Sequence, residues 1–351
     1  LLKALILMRE IVIGERKIGL SHPPFIIAEM SGNHNQSLEK ALKIVDTASK
    51  AGVHALKLQT YTADTITIDI NNENFVINAP GSSWNEQTLY EFYQKAYTPW
   101  EWHKPIFDRC HELGMIAFSS PFDESAVDFL NDLNVPAYKI ASCEVVHLPL
   151  LKKVALTGKP VIMSTGMASI AELDDAISTL RNFGCNNIIL LKCTTNYPSS
   201  PKNANLLTIP HLRNLFETEV GLSDHSMGIG VGIASIALGA TVIEKHFTLS
   251  RTDGAIDSAF SMEPQELKTL VIESKQAWDA LGKVYYGATN AEQNSIRFRR
   301  SLYISKDMRP GDIFTAKNLR IIRPGGGLHP KYYDLVLGKH IKCAANKGTP
   351  V

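Results

Sequence analysis

Two histidines occupy positions from which they could share a metal ion. His225 follows the apolar run EVGLSD, and His246 lies in the run VIEKHF. Two imidazoles that meet at one point leave open positions on a divalent cation, as a Lewis-acid site requires. The alternative is that each ring is a hydrogen-bonded residue at the rim of a pocket. Two acidic residues that we expect nearby, Glu29 and Asp257, favour the metal site.

Two lysines lie inside apolar runs, where a side-chain ammonium group needs a counter-charge. Lys57 lies in ALKLQT, and Lys139 lies in AYKIAS. An unpaired buried ammonium group is costly, so each lysine requires an anionic ligand or a nearby acid. Neutral hydroxyl groups end or follow other runs: Ser120, Ser142, Ser164, Thr195 and Ser223. Lysines and hydroxyl groups together would make a cradle for a phosphate and a carboxylate.

Two alternatives stay open for the lysines. They could pair with glutamates of the chain, or one of them could form a Schiff base with a carbonyl substrate, as in class I aldolases. Borohydride trapping with substrate would separate a Schiff base from an anion cradle. Glu144, just past the run that contains Lys139, and Glu29 are candidates for proton transfer or for holding sugar hydroxyl groups. A single glutamate at such a position is more often a salt-bridge partner. The lysines, hydroxyl groups and histidines expected around these two favour a functional role.

The elements that must position these residues follow a regular pattern. Eight β-rich apolar runs are each followed by a helix-like stretch, and the runs are FIIAE, ALKLQT, MIAFSSP, AYKIAS, VIMSTG, IILLKCT, EVGLSD and VIEKHF. Continuous apolar strands are expected for a parallel sheet that is buried on both faces. The pattern predicts a (β/α)8 TIM barrel, in which the active site lies at the C-terminal ends of the strands. The scattered motifs would then meet at one mouth.

Two stretches depart from this rhythm. Residues 62–97, rich in Asn, Ser and Tyr, form a long insertion after the second barrel strand. Loops of that length are usually functional or disordered. From Tyr285 onward the alternation of strand and helix ceases. The sequence therefore predicts a barrel domain with an N-terminal hairpin over 1–284, a linker over 285–296 and a small β-rich domain over 297–351.

The composition of the chain argues against some classes of function. The chain has 351 residues, of which 44% are hydrophobic and 20% charged, and its net charge of +1 gives no reason to expect a nucleic-acid or membrane-surface partner. Five cysteines without a CxxC spacing favour a reducing, cytosolic compartment. The apolar start, Leu1 to Met8, is too short to span a bilayer and lacks a signal-peptide cleavage pattern. Met8 is a candidate initiator, with the first seven residues as an upstream extension.

Longer motifs connect these residues to a known family. The chain resembles the sialic acid synthase family from about Ile13 onward, in AEMSGNHNQ, LKLQTY, SSPFD, YKIAS-x-E, STGM, LKCTTNYP, GLSDH, ALGA-x-VIEKHF and RPG. The resemblance implies a TIM barrel followed by a β-clip SAF (antifreeze-like) domain. It also implies a transferase that condenses phosphoenolpyruvate with an acylated amino sugar.

Within the family, the segments GNHNQ, TPWEWHKPIFD and FRRSLY look most like the pseudaminic acid synthase branch. Met30, Ser31, Gln36 and Thr195 depart from the N-acetylneuraminate branch. The implied sugar is 2,4-diacetamido-2,4,6-trideoxy-L-altrose. The alternatives are an N-acetylneuraminate or legionaminate synthase of the same family, or a non-catalytic carbohydrate-binding protein on an inherited barrel.

The resemblance also implies a role for each matching residue. His225 and His246 would be metal ligands, with manganese expected and magnesium or cobalt as alternatives. Glu144 would shuttle a proton, and Glu29 and Lys139 would be the other catalytic groups. The residues that hold phosphoenolpyruvate would be Lys57, Ser120, Lys139, Ser142, Ser164, Thr195 and Ser223. Those that face the sugar and the metal-bound water would be Glu29, Gln59, Tyr197 and Asp257. Arg323 would reach the site from the SAF domain of a second copy, in a domain-swapped homodimer.

Overall fold

The structure, a computed structural model, describes residues 10–78 and 85–351. The chain divides into two compact units, Leu1–Gly282 and Lys283–Val351. The predictions made for Leu1 to Met8, and the middle of the predicted insertion, lie outside the described residues. All five cysteines are described, and all of them are free thiols.

The first unit begins with the predicted hairpin, in which β1 (Ile11–Ile13) pairs antiparallel with β2 (Arg16–Ile18). After it, the described residues form a closed barrel of eight parallel strands, which confirms the predicted TIM barrel. The barrel strands are β3 (Phe25–Glu29), β4 (Ala55–Thr60), β5 (Ile116–Pro121), β6 (Tyr138–Ile140), β7 (Val161–Ser164), β8 (Ile188–Cys193), β9 (Glu219–Ser223) and β10 (Val242–His246). The last strand, β10, pairs with the first, β3, and this pairing closes the ring.

Helices connect the strands and cover the outside of the barrel. They are α1 (Leu38–Ala51), α2 (Ala63–Ile66), α3 (Leu89–Ala96), α4 (His103–Glu112), α5 (Glu124–Asp132), α6 (Leu148–Ala155), α7 (Ile170–Asn182), α8 (Thr208–Phe216), α9 (Gly230–Ala237) and α10 (Pro264–Leu281). The local signals act as expected in α1, where the Ser37 side chain caps the N-terminus and Gly52 ends the helix with φ +86°. The predicted insertion contains α2 and α3, and α10 matches the predicted closing helix.

The strands are buried on both faces, as their apolar composition predicted. Because successive side chains of a strand point to opposite faces, each strand sends alternate residues into the barrel and toward the helices. In β10, Glu244 and His246 therefore share one face, and Lys245 lies on the other. This alternation decides which polar residues reach the barrel interior.

The second unit has a small core of its own. Strands β11 (Ser301–Ile304) and β12 (Leu319–Ile322) pair antiparallel, and a short helix α11 (Tyr333–Val336) follows. The core consists of Leu302, Ile304, Met308, Phe314 and Leu319. The segment predicted as a linker overlaps a 3-10 helix, Asn290–Phe298. In neither described range is there a helix with the length and apolar composition to cross a bilayer.

Candidate active site

The two predicted lysines lie in the barrel interior beside two glutamates. Lys57 Nζ is 2.7 Å from Glu29 Oε2 and 3.6 Å from Glu244 Oε1. Lys139 Nζ is 3.5 Å from the same Glu244 oxygen. All four side chains are almost inaccessible to solvent. Internal Lys–Glu pairing, one of the alternatives that the sequence left open, is therefore present.

Three predicted serines join these charged groups. Lys139 Nζ donates to Ser164 Oγ at 2.7 Å, and Lys57 Nζ donates to Ser120 Oγ at 3.3 Å. The Ser223 hydroxyl donates to Glu244 Oε1 at 3.3 Å. We call this set the lysine cluster, and its members are Glu29, Lys57, Ser120, Lys139, Ser164, Ser223 and Glu244.

Two further predicted hydroxyl groups, those of Ser142 and Thr195, meet against the backbone of Gly166. The Gly166 N–H donates to Ser142 Oγ at 3.1 Å. A Cβ atom at position 166 would collide with Thr195 Oγ1 and lie 2.7 Å from Ser142 Oγ, so any larger residue must displace these hydroxyl groups. Thr195 Oγ1 is buried and has no hydrogen-bond partner within the described ranges. That hydroxyl is available to a ligand.

The two glutamates of the lysine cluster have opposite pKa shifts. Burial raises the pKa of Glu29, and the Glu244 carboxylate adds to the rise, against the opposing charge of Lys57. Burial acts in the same direction on Glu244, but the positive charges of Lys139 and Lys57 outweigh it and hold the pKa of Glu244 below its usual value. Carboxyl groups whose pKa values are driven apart are typical of sites that transfer protons.

Glu144 lies in a 3-10 helix, Ser142–Val146, directly after β6. Burial raises the pKa of its carboxyl group to about 7, although its own backbone N–H and the charge of Lys139 oppose the rise. Its Oε2 atom is buried without a hydrogen-bond partner in the described part of the chain. A carboxyl group that exchanges its proton near neutral pH is suited to general acid–base catalysis.

The two predicted metal ligands lie side by side. The rings of His225 and His246, the histidine pair, have centroids 5.3 Å apart. His225 Nδ1 is 3.0 Å from the Thr194 carbonyl oxygen, to which an Nδ1–H donates, and this tautomer places the ring's lone pair on Nε2. The Cys193 side chain is a further hydrogen-bond partner of the His225 ring. His246 Nδ1 is buried, has no hydrogen-bond partner among the described residues and lies 3.8 Å from Asp257 Oδ2. Each ring therefore offers a nitrogen, and these donors suit a divalent cation.

The metal assignment depends on this pair. Over residues 10–78 and 85–351, no group of three or more His, Cys, Asp or Glu side chains is arranged to hold a metal ion. Of the acidic residues expected near the pair, Asp257 has its Oδ2 atom 3.8 Å from His246 Nδ1, and Glu29 is in register with His246 between β3 and β10.

A chain of polar contacts joins the lysine cluster to the histidine pair. Gln59 Nε2 donates to Glu29 Oε1 and to Ser31 Oγ, each at 3.1 Å. The Ser31 hydroxyl donates to Asp257 Oδ2, and Asp257 lies beside His246. The predicted residues from distant motifs therefore form one continuous site.

Tyr197 and Arg323 complete the predicted set. The Tyr197 ring lies 4.3 Å from the ring of His225 and 6.0 Å from that of His246, between centroids. Arg323 directly follows β12 and belongs to the second unit. Its role at the site stays a prediction.

Sequence reasoning missed Glu244, which contacts both lysines of the cluster. The signal was available, because in the run VIEKHF the residue two positions before His246 must face the same side of the strand. It also missed Asp224 and Lys245, which pair at 2.8 Å behind the two histidines.

Comparisons with known proteins agree with this geometry. Residues 44–286 match the model of the NeuB family, and residues 299–351 match the SAF domain. A pseudaminic acid synthase of Helicobacter pylori is 42% identical over 330 residues, which cover 94% of this chain and 96% of that protein. An N,N'-diacetyllegionaminic acid synthase of Campylobacter jejuni is 37% identical and covers 90% of this chain and 94% of that protein.

A solved structure agrees as well. The crystal structure of N-acetylneuraminic acid synthetase from Leptospira borgpetersenii, in complex with citrate, is 34% identical. It superposes with a TM-score of 0.73 and covers 83% of this chain and 96% of that one. The family model spans more than half of the chain, and the relatives are similar along almost all of it. The chain belongs to the NeuB family.

Proposed function

We propose that this chain synthesises pseudaminic acid by condensing phosphoenolpyruvate with 2,4-diacetamido-2,4,6-trideoxy-L-altrose. The observation that carries the proposal is the position of a lysine cluster beside a histidine pair, joined by the contacts of Gln59, Ser31 and Asp257. An anion site next to a metal site is what a reaction between an enol phosphate and an aldehyde requires. The similarity to the Helicobacter pylori pseudaminic acid synthase along 94% of the chain supports the choice of sugar.

The lysine cluster binds phosphoenolpyruvate together with Ser142 and Thr195, whose hydroxyl groups lie beside Gly166. Lys57 and Lys139 are cations in a pocket almost closed to water, where charge-assisted hydrogen bonds to phosphate and carboxylate are strong. Ser142 and Thr195 add hydroxyl groups, of which Thr195 Oγ1 has no protein partner among the described residues. Glu244 holds both ammonium groups in place, so that they converge on one ligand.

His225 and His246 would hold a divalent cation, expected to be manganese. When bound there, the cation would supply Lewis-acid polarisation of the sugar aldehyde oxygen. Tyr197, whose ring packs against both imidazoles, forms the wall of the pocket beside the two histidines.

The protons of the reaction pass through the glutamates. The methylene carbon of phosphoenolpyruvate forms a bond with the aldehyde carbon of the open-chain sugar, and the aldehyde oxygen takes up a proton. Water adds to the enol carbon of phosphoenolpyruvate and loses a proton, after which the C–O bond to phosphate breaks and a ketone forms. Glu144, with a pKa of about 7, and Glu29, with a raised pKa, are placed to take and return these protons.

We assign the selection of the sugar to the insertion after β4. Its helix α3 carries Tyr93, whose ring lies 5.5 Å from that of Tyr61, and Tyr61 contacts Phe122 at 5.2 Å between centroids. Burial raises the pKa of Tyr93, and the negative charge of Glu144 raises it further. The insertion therefore lies near Glu144, the proposed proton shuttle. An aromatic wall favours the methyl groups of a deoxy, diacetamido sugar over extra hydroxyl groups.

The proposal includes a cytoplasmic, domain-swapped homodimer in which Arg323 of one copy completes the barrel site of the other. Mixing tests this assembly. If Arg323→Ala and His225→Ala chains are each inactive, mixed dimers regain one intact site and some activity. A mixture that stays inactive after confirmed subunit exchange contradicts the swap.

Product mass tests the activity itself. The purified protein is incubated with phosphoenolpyruvate, manganese and one of three sugars: the diacetamido altrose, N-acetylmannosamine or the legionaminate precursor. We expect the first to give the highest rate of phosphate release and the mass of pseudaminic acid. N-acetylmannosamine or the legionaminate precursor as best substrate contradicts the choice of branch.

Chelation separates catalysis from carbohydrate binding. We expect a chelator to stop phosphate release and added manganese to restore it. Phosphate release that is indifferent to the chelator contradicts the metal role, and the absence of any release favours a binding protein. Trapping of the protein by borohydride in the presence of substrate would favour the Schiff-base alternative at Lys139 or Lys57.

A further inference from the structure

A buried ion pair lies directly behind the histidine pair. Asp224 and His225 are neighbours at the end of β9, and Lys245 and His246 are neighbours at the end of β10. Since neighbouring side chains of a strand point to opposite faces, the two histidines face the pocket while Asp224 and Lys245 face the helices. Lys245 Nζ is 2.8 Å from Asp224 Oδ2, and both side chains are at most 3% exposed.

The hydrogen bonds of this pair are complete. The three N–H groups of Lys245 have three acceptors, namely Asp224 Oδ2, the Ser226 carbonyl at 2.7 Å and the Gly228 carbonyl at 2.9 Å. The other Asp224 oxygen, Oδ1, accepts from the Ser226 N–H at 2.9 Å and from its hydroxyl at 2.7 Å. The Asp224 N–H donates to the Glu244 carbonyl at 2.9 Å. Lys245 therefore fastens the segment 224–228, which carries His225, to the strand that carries His246.

We infer that Lys245, through Asp224, is a positioning residue that sets the separation and orientation of His225 and His246 for the metal. The rings make few hydrogen bonds of their own, since His225 bonds to the Thr194 carbonyl and to the Cys193 side chain and His246 Nδ1 has no partner in the described ranges. Part of their geometry must therefore come from the backbone segments that carry them. This inference depends on the metal role proposed for the histidines.

The chain offers a matched control at the opposite end of the same two strands. Arg213 Nη2 is 2.6 Å from Glu219 Oε2 at the start of β9, and these side chains are 4% and 3% exposed. The Thr241 hydroxyl, directly before β10, donates to the same Glu219 oxygen at 3.2 Å. This pair also ties β9 to β10, but it lies at the end of the strands that is remote from the histidines.

The experiment compares manganese affinity and thermal stability in Lys245→Met and Arg213→Met. Free manganese is measured by electron paramagnetic resonance during titration of the full chain, without substrate. Both variants leave a buried carboxylate unpaired, so both should unfold at a lower temperature. We expect Lys245→Met to bind manganese ~10- to 100-fold more weakly and Arg213→Met to bind it like the wild type, because outer partners of metal ligands have effects of that size.

A second variant separates positioning from stability. In Asp224→Leu/Lys245→Met no buried charge is left unpaired, so part of the thermal stability should return while manganese affinity stays low. Ser226→Ala, which removes one hydroxyl donor and keeps both charges, provides a folded variant with a smaller loss of affinity. Its affinity should fall by a few-fold, less than in the charge variant.

Four outcomes overturn the inference. Wild-type affinity in a folded Lys245→Met or Ser226→Ala variant does so directly. A loss of affinity in Arg213→Met that matches its loss of stability shows that any destabilisation has the effect. Recovery of affinity together with stability in the double variant shows the same. If the wild type binds no manganese, and His225→Ala changes nothing, the proposed metal role fails and the inference fails with it.

Discussion

The lysine cluster and the histidine pair lie in one continuous site, but their charges are managed differently. In the lysine cluster, opposite charges lie 2.7 to 3.6 Å apart and neutralise each other within the chain. In the histidine pair, one ring nitrogen has no partner among the described residues, and the carboxylate of Asp257 lies 3.8 Å away. The charges of the first region are paired within the chain, whereas the second region leaves a ring nitrogen available to a ligand. Substitutions should therefore separate stability from turnover.

The largest effect on turnover is expected in the histidine pair. His225→Ala should lower kcat/KM by at least ~10⁴-fold, or roughly 5 kcal/mol, because Lewis-acid polarisation is lost. Its thermal midpoint should fall by only about 2–4 °C, since one hydrogen bond worth ~1 kcal/mol disappears. Steady-state kinetics and calorimetry measure the two quantities. The exposed His211 on α8 provides the control His211→Ala, which should change neither. A rate near that of the wild type would remove the metal assignment.

In the lysine cluster we expect the larger effect on stability. Lys57→Met leaves Glu29 without its close cation and should lower the free energy of unfolding by about 3–5 kcal/mol, as broken buried pairs do. Denaturant unfolding measures this. Lys104→Met is the control, because the Lys104–Asp108 pair is 70% and 53% exposed and is worth at most about 0.5 kcal/mol. Equal losses in the two variants would contradict the structural role of the cluster.

A smaller effect is expected from Glu144, and it depends on pH. The folded chain keeps this proton up to a pKa of about 7, whereas the unfolded chain releases it near the ordinary glutamate pKa of 4.5. The wild type should therefore lose about 2–3 kcal/mol of stability as pH rises from 4.5 to 7, because only folding holds the proton there. Glu144→Gln should lack this loss. Unfolding curves measured at several pH values test it, and parallel pH profiles for the two proteins would refute the raised pKa.

The smallest effect is expected at Gly166, which contacts the hydroxyl groups of Ser142 and Thr195. A methyl group at Gly166 must displace the Thr195 and Ser142 hydroxyl groups, so Gly166→Ala should raise the KM for phosphoenolpyruvate about tenfold, or ~1.4 kcal/mol. Gly230→Ala is the control, since open space surrounds that position. An unchanged KM in Gly166→Ala would exclude these hydroxyl groups from the anion site.

The fold could be predicted from sequence because each barrel strand is a short apolar run that ends in a polar residue. The strands β3 and β10, for example, were recognisable in FIIAE and VIEKHF. The predicted site residues of the first unit could be grouped because a parallel barrel brings its strand ends together.

The pairing of charges could not be predicted. Whether Lys57 meets Glu29 or Glu244 depends on the register between strands, and a strand that is buried on both faces shows no polar alternation from which to infer it. The alternation of side chains along a strand does indicate that Glu244 shares the face of His246 while Lys245 takes the opposite face. It does not indicate which lysines Glu244 contacts.

The contact that closes the barrel has a consequence for the synthesis of the protein itself. Glu29 lies on the first barrel strand and His246 on the last, and the two residues become neighbours only when β10 docks against β3. Contacts between distant segments form late, because the intervening chain must first be ordered. A nascent polypeptide that stops short of β10 therefore has strands and lysines but no reactive centre. The active site therefore cannot form before translation has passed the last barrel strand.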